Sequence, residues 1–424
     1  MLEEILDRRN IEKALVQVEK NKGAGGVDGM PWNDLRAYIE ADWQSVRQSV
    51  LEGTYEPQPV RKVEIPKPQG GKRQLGIPTV IDRMLQQAIA QWLMPKYEDH
   101  FSKRSYGFRP NRNTHQAVLQ AQQYLHAGKI WVVEMDLENF FNAVNHDRLM
   151  SMLSRTIADK RTLKLIRSYL TGGIMEGGVI STRSEGTPQG SPLSPLLSNI
   201  ILDELDKELE KREHSFVRYA DDISIYVSSE SSANRVMDNI TKFIEGKLLL
   251  KVNRKKTKVS KPDQSTLLGF SFRVYKEKWI IRIARESVLR MKRKFKAITK
   301  RNAPLSEGER IAQLNTLIRG WVNYFAIAMA KSLMKNLDGN VRKRLRMCMW
   351  KQWKNIKTRR RNLLKLGARR KDAYQWGASS KGYCAVAEGF ILCTILTEAY
   401  YKRRGFRGFY ENYYLKTEKQ TSLF

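Results

Sequence analysis

Apolar residues recur at helical spacing from the first turn of the chain. Ile5, Leu6, Ile11, Ala14, Leu15 and Val18 fall on one face of Leu2–Lys20, which predicts an amphipathic helix. Four glycines within the nine residues Asn21–Gly29 (NKGAGGVDG) end it in a flexible loop. Helix resumes over Leu35–Leu51. Val60–Ile65 and Arg73–Ile77 read as strands joined by the Pro66–Gly71 turn (PKPQGG), a hairpin. Arg83–Leu93, Thr114–Tyr124, Leu149–Leu170 and Leu193–Lys211 carry the helical pattern, the last opened by proline. Ile130–Met135 is a short apolar strand, and Phe216–Val227 reads as strand, tight turn, strand. Leu267–Phe272 and Trp279–Ile283 give a second small hairpin, after which the pattern is almost wholly helical. Segment order thus predicts an α+β catalytic part over residues 1–284 and an all-helical part over 285–424.

Charge sharpens that division. The 424 residues carry a formal net charge of +32, and 33 of the 76 basic but only nine of the 44 acidic residues lie after position 284. A net +24 is therefore concentrated in the helical part, as expected of a region that grips a polyanion and releases its counterions. With 41% apolar residues the chain can still bury a core. Cys348, Cys384 and Cys393 form no C-x-x-C pair and have no histidines at zinc spacing, so neither a disulfide framework nor a structural metal is expected. The acidic, amphipathic start resembles neither a signal nor a transit peptide, and no apolar stretch is long enough for a bilayer. These features predict a bacterial, cytoplasmic, nucleoid-associated protein with no membrane partner.

Two acidic sites carry the candidate chemistry. Asp221 and Asp222 sit between two β-rich arms in FVRYADDISIYV, where Asp is otherwise depleted. Adjacent carboxylates at a tight turn repel unless a cation joins them; the pair also suits an ordinary Asx-type surface turn. Asp136 closes the apolar strand in IWVVEMDLENFF, where it could equally be a helix N-cap. Two strand-borne acidic sites in one domain are what two Mg²⁺ ions need to clamp the attacking and leaving oxygens of a phosphoryl transfer.

In these segments the chain resembles the reverse transcriptase and maturase proteins encoded by bacterial group II introns. Tyr219-Ala-Asp-Asp222 is similar to their YxDD box, and Asp136 in MDLENFF to the first metal-binding aspartate. GTPQGSPLSP at Gly186–Pro195 resembles the block that comes after it. FSKRSYGFRP at Phe101–Pro110, LLGFSF at Leu267–Phe272 and GWVNYF at Gly320–Phe325 resemble further blocks in the same order. The resemblance implies a right-hand polymerase: fingers and palm over 1–284, with an N-terminal extension at 1–59 and core blocks at 60–284, then a helical thumb or maturase domain over 285–424 with a short basic tail.

By that resemblance Asp136, Asp221 and Asp222 are catalytic, and Asp136, Asp221 and Leu137 form the metal set for two Mg²⁺ ions, with Mn²⁺ as a substitute. Phe141 matches a steric gate that selects dNTPs, although it could be a core aromatic beside Phe140. Lys67 and Arg73 match triphosphate contacts, as cations flanking a hairpin turn could, or they are simply solvated. Gln189 and Gly190 match residues beside the incoming nucleotide, within what also reads as a helix-initiating turn. The resemblance makes the Asn21–Gly29 loop a template cover, with Asn21, Lys22 and Gly23 as contacts. Arg109 and Arg112 are candidates for template phosphates or for folding. In the helical part basic runs interleave with tryptophan and tyrosine, which suits RNA; Arg342, Arg344 and Lys351 represent them. No endonuclease-type cysteine pairs come after the thumb, as in the IIC subgroup. The implied partners are an RNA template, the intron RNA, a DNA primer or target and dNTPs, with the protein a monomer or homodimer. The implied activity is RNA-directed DNA synthesis plus assistance to splicing and retrohoming. Two other readings share the fold: a group II-like reverse transcriptase serving host repair or defence, and an RNA-binding splicing factor with little polymerase activity.

Overall fold

The computed structural model describes residues 1–66 and 70–421, with side chains through 418. The chain divides into two compact units, Met1–Lys261 and Pro262–Phe424.

The first unit opens with α1 (Leu2–Ile5) and α2 (Arg8–Asn21), two helices where the apolar pattern predicts one. Asp7 causes the break: its carboxylate accepts the Arg9 N–H at 2.9 Å and caps α2. Then come α3 (Leu35–Glu52), β1 (Val60–Pro66), β2 (Lys72–Ile77), α4 (Val80–Glu98), α5 (Thr114–His126) and β3 (Trp131–Met135). The predicted helix Leu149–Leu170 also divides, into α6 (His146–Ser154) and α7 (Lys160–Thr171). Asp159 accepts the Arg161 N–H at 2.9 Å and also the Leu2 N–H at 3.2 Å, 157 positions away. Next are β4 (Ile174–Glu176), β5 (Val179–Ser181), α8 (Ser194–Lys211), β6 (Ser215–Tyr219), β7 (Asp222–Val227), α9 (Glu230–Gly246) and β8 (Lys258–Ser260). Of these, β4, β5, α9 and β8 were not predicted, the three strands being only three residues long.

Two four-stranded sheets result, ordered β2-β1-β4-β5 and β6-β7-β3-β8. The second is wholly antiparallel and sits under α5, α8 and α9. Because helices cover it, β6 is buried along nearly its whole length rather than at alternate residues. Its Arg218 is completely buried and forms a two-pronged ion pair with the equally buried Asp206 of α8, at 2.7 and 2.5 Å. The same guanidinium donates to Asn199 Oδ1 at 2.9 Å and to the Ala220 carbonyl at 3.1 Å.

The second unit begins with the hairpin β9 (Phe270–Tyr275) and β10 (Lys278–Ile283), turned by Lys276 and Glu277 at positive φ. It continues through α10 (Arg285–Ile298), α11 (Glu307–Phe325), α12 (Lys331–Gln352) and shorter helices. The hairpin clusters with these helices, so the compact units divide earlier than residue 284. The reason is its packing: Phe270 stacks on Tyr324 with ring centroids 5.6 Å apart, and Ile281 O accepts the Met329 N–H at 2.8 Å. Among the described residues no helix is long and apolar enough to cross a membrane.

Candidate active site

The register of the second sheet creates the site. Met135 of β3 pairs with Ile223 of β7, so the next residue along β3, Asp136, is carried toward Asp222 on the β6–β7 turn. Tyr219 pairs with Asp222, leaving Ala220 and Asp221 as the two-residue turn, with Ala220 in the left-handed region at φ 57°. The turn is held from below by Arg218 on the Ala220 carbonyl, and from the side by Gly107. A Cβ on Gly107 would lie 2.3 Å from the Ala220 nitrogen, so only glycine fits there.

Asp136, Leu137, Asp221 and Asp222 open onto one polar cavity of about 680 Å³, together with Arg73, Phe141 and Gln189. Among the lining residues that pattern reading missed are Asn253 and Lys256. Lys256 Nζ lies 3.2 Å from the Asp136 carboxylate, and the Asn253 N–H donates to the Asp136 carbonyl at 2.8 Å. Both come from NRKKTK, a run with no periodic signal and nothing to separate one lysine from the next. Both Phe140 and Phe141 border the cavity; Phe140 is 2% exposed and belongs to the core, and Phe141, edge-on to it at 5.2 Å, is only partly buried against that core. Lys67 lies outside the described residues.

The three carboxylates are short of positive charge. Partial burial, then Asp221 and then Asp136 push the Asp222 carboxyl up to about 6. Burial and the neighbouring Asp136 push Asp221 in the same direction. Among the described residues no three acidic, His or Cys side chains make a ready cation cage. The oxygen-only donors and their mutual repulsion nevertheless fit a hard divalent ion, whose charge would relieve both. One consequence concerns protein stripped of divalent ions. Between the ordinary Asp value of 3.8 and about 6, the folded state holds a proton at Asp222 that the unfolded chain releases. Folding stability is expected to fall as pH rises through that window. Denaturant midpoints at pH 4.5 and 7 check this: Asp222→Asn should flatten the decline, and an unchanged decline would assign it elsewhere.

Beside this cavity lies a second of about 480 Å³, which shares Arg73, Phe141 and Gln189 and adds Gly190, Asn21, Gly23 and Arg83. Gly190 stands at φ 112°, and the Gln189 carbonyl accepts the Gly76 N–H of β2 at 2.8 Å. The Asn21–Gly29 segment is anchored, contrary to the expected flexible loop. Arg83 donates to the Ala24 carbonyl at 2.7 Å and Arg61 to the Gly25 carbonyl at 2.7 Å. A Cβ on Gly26 would meet Thr79 Cα at 2.6 Å, so its glycines serve close approach. Lys22 ends α2 in the left-handed region and stands over the Trp32 ring at 5.7 Å.

Of the basic candidates, Arg109 and Arg344 are turned into the protein. Arg109 is buried, its guanidinium donating to the Glu98 carboxylate and to the Ser102 and Ser105 carbonyls, so its fork is spent on folding. Arg112 stays half-exposed over the Tyr106 ring at 5.7 Å. In the second unit Arg344 donates to Thr299 Oγ1 at 2.6 Å and the Thr299 carbonyl at 3.0 Å, again an internal role. Arg342 pairs with Glu398 at 3.3 Å, while Lys351 is exposed over Tyr383 at 5.5 Å.

Residues 65–272 match the family described as reverse transcriptase (RNA-dependent DNA polymerase), and residues 288–367 match the group II intron maturase-specific domain. The chain is 34% identical over 279 residues to protein YkfC of Escherichia coli (strain K12), a match covering 56% of this chain and 73% of YkfC. It is 37% identical over 199 residues to the group II intron-encoded protein LtrA of Lactococcus lactis subsp. cremoris, covering 47% of this chain but only 33% of LtrA. Among solved structures, a chain of a Cas6-RT-Cas1–Cas2 complex is 28% identical, with a TM-score of 0.38 over 57% of this chain and 42% of that one.

Proposed function

This chain belongs to the reverse transcriptase and maturase proteins encoded by group II introns, and on that footing we propose that it copies RNA into DNA at the Asp136–Asp221–Asp222 cavity. The observation that carries the reading is the convergence of those carboxylates with Phe141, Gln189 and Arg73 on one polar space. Asp136 and Asp221, with Leu137 beside them, would hold two Mg²⁺ ions, and Asp222 supports them from an outer position. Bound Mg²⁺ supplies Lewis acidity, making the primer 3′-hydroxyl a better nucleophile and offsetting charge on the transferring phosphoryl group. Arg73 offers a planar fork to the triphosphate. Gln189 and Gly190 border the nucleotide, and Phe141 crowds the position of a ribose 2′-hydroxyl. Lys256 holds Asp136 in place while the ions are absent. The partners are then an RNA template, a DNA primer and dNTPs. The strongly basic helical unit would bind the parent intron RNA and support its splicing and retrohoming, in the cytoplasm beside the nucleoid.

The test is primer extension on an RNA template with Mg²⁺, supplying dNTPs or rNTPs in parallel. The wild type should extend with dNTPs only. Phe141→Ala should keep dNTP extension and lose sugar discrimination, by roughly 10- to 200-fold on the scale of a small steric difference in a pocket. A wild type that extends on no template, while folded and RNA-bound, would leave a splicing factor as the better reading.

A further inference from the structure

We propose that Phe108 is the stacking platform for the single-stranded RNA template on its way to the catalytic cavity, and that the trough between α2 and α4 carries the bases behind it. This rests on the polymerase reading above and names where one of its substrates runs.

Phe108 is a bulky residue in the left-handed region, at φ 57°. Such a conformation costs free energy and persists only where the surroundings impose it. They do so here from both sides. Gly107 is pressed against the catalytic turn, and its carbonyl accepts Asn199 Nδ2 at 2.9 Å. Arg109 is locked by Glu98 and the Ser102 and Ser105 carbonyls. The ring is not part of the core, and Phe108 stays 46% exposed.

Its position gives the strain a use. Phe108 stands where two cavities meet, the 480 Å³ space beside Phe141 and Gln189, and another of about 870 Å³. Gln87, Pro192 and Pro195 line both, so the two are neighbours. The larger one runs along α2 and α4, past exposed Val16 and the half-buried Met94, with the amides of Asn10, Gln17 and Gln91 alongside. Its lining includes one acid, Glu12, and one base, Lys13. In a chain of net charge +32 such a neutral surface is poorly suited to phosphates. The Asn10, Gln17 and Gln91 amide nitrogens already donate within the protein, so what the trough offers unpaired bases is its apolar faces and the Phe108 ring, on which bases stack. Adjacency to the cavity beside Phe141 and Gln189 selects the template, the one strand that must arrive there unpaired.

The decisive variant is Phe108→Asn. Asparagine tolerates the left-handed region, so it relieves the strain while removing the ring; Phe108→Trp keeps a stacking surface. With the full chain, KM is measured for RNA templates having one or six unpaired nucleotides ahead of the primer end. Binding is monitored separately by 2-aminopurine placed at the second unpaired position. In Phe108→Asn, KM for the long-lead template should rise roughly 5- to 150-fold more than for the short-lead one, the worth of a stacked base. Thermal stability should stay level or increase, and Phe108→Trp should restore KM. The wild type should quench 2-aminopurine, and Phe108→Asn should leave it bright. An equal KM change on both templates, or equal quenching in wild type and Phe108→Asn, would overturn the proposal. So would a trough that titrates with protein concentration as a self-association face. Wild-type protein that quenches the probe yet never extends a primer would instead count against the polymerase reading alone.

Discussion

Asp221→Ala combined with Asp222→Ala is expected to lower RNA-templated extension by at least roughly 10³-fold, because several kcal/mol of charge stabilisation leave the transition state with the ions. The same change should not unfold the protein. Both carboxyls are pushed upward by burial and by neighbouring acids, so each is a strained charge in ion-free protein. Removing them should leave the urea midpoint level or higher at neutral pH. This opposite movement of activity and stability separates a catalytic cluster from an Asx-type turn, whose loss would cost stability and leave turnover alone. Steady-state extension and equilibrium unfolding on the same preparation decide it. Full activity in the double variant would dismiss the site.

Arg218→Met should cost about 3–5 kcal/mol of stability, the penalty for leaving Asp206 buried without its partner. The arginine is 0% exposed and also holds Asn199 and the Ala220 carbonyl, so the turn that presents Asp221 should loosen as well. Adding Asp206→Leu to Arg218→Met should recover much of the stability, since an apolar pair replaces an ionic one with no stranded charge. Activity should recover less, because the Ala220 carbonyl still lacks its donor. Urea midpoints and extension rates for the single and double variants check both statements. Full recovery of both would reduce Arg218 to a stability residue.

The convergence of Asp136, Asp221 and Asp222 on one cavity was legible because carboxylates are out of place beside apolar strands. Lys256 was not legible: it sits among Arg254, Lys255 and Lys258, and only the fold singles out the one that reaches Asp136. Arg109 was open between a template contact and a role in folding, and its surroundings fit the second. Its sequence context looks like a phosphate contact, yet Glu98 and two carbonyls consume its donors, and burial of a cation leaves no trace in the pattern. The helix breaks at Asp7 and Asp159 were hidden because an apolar period runs straight across them. One of those caps also accepts the Leu2 N–H, from the other end of the unit. Phe108 lies within FSKRSYGFRP, but neither its backbone angle nor the cavities that meet at it can be read from those letters.

The anchoring of the Asn21–Gly29 segment bears on how this protein can be engineered. By glycine content it looks like a natural joint, the kind of place chosen for an affinity handle, a fused domain or new chain ends. Its carbonyls are instead gripped by Arg61 and Arg83, and side chains at Gly23 or Gly26 would run into Arg83 or Thr79. An insertion there would pry open the wall of the cavity lined by Asn21, Gly23 and Arg83. Gly128 and the Gly177–Gly178 tip of the β4–β5 hairpin have open space where a Cβ would stand, so an inserted segment there is expected to meet no neighbour.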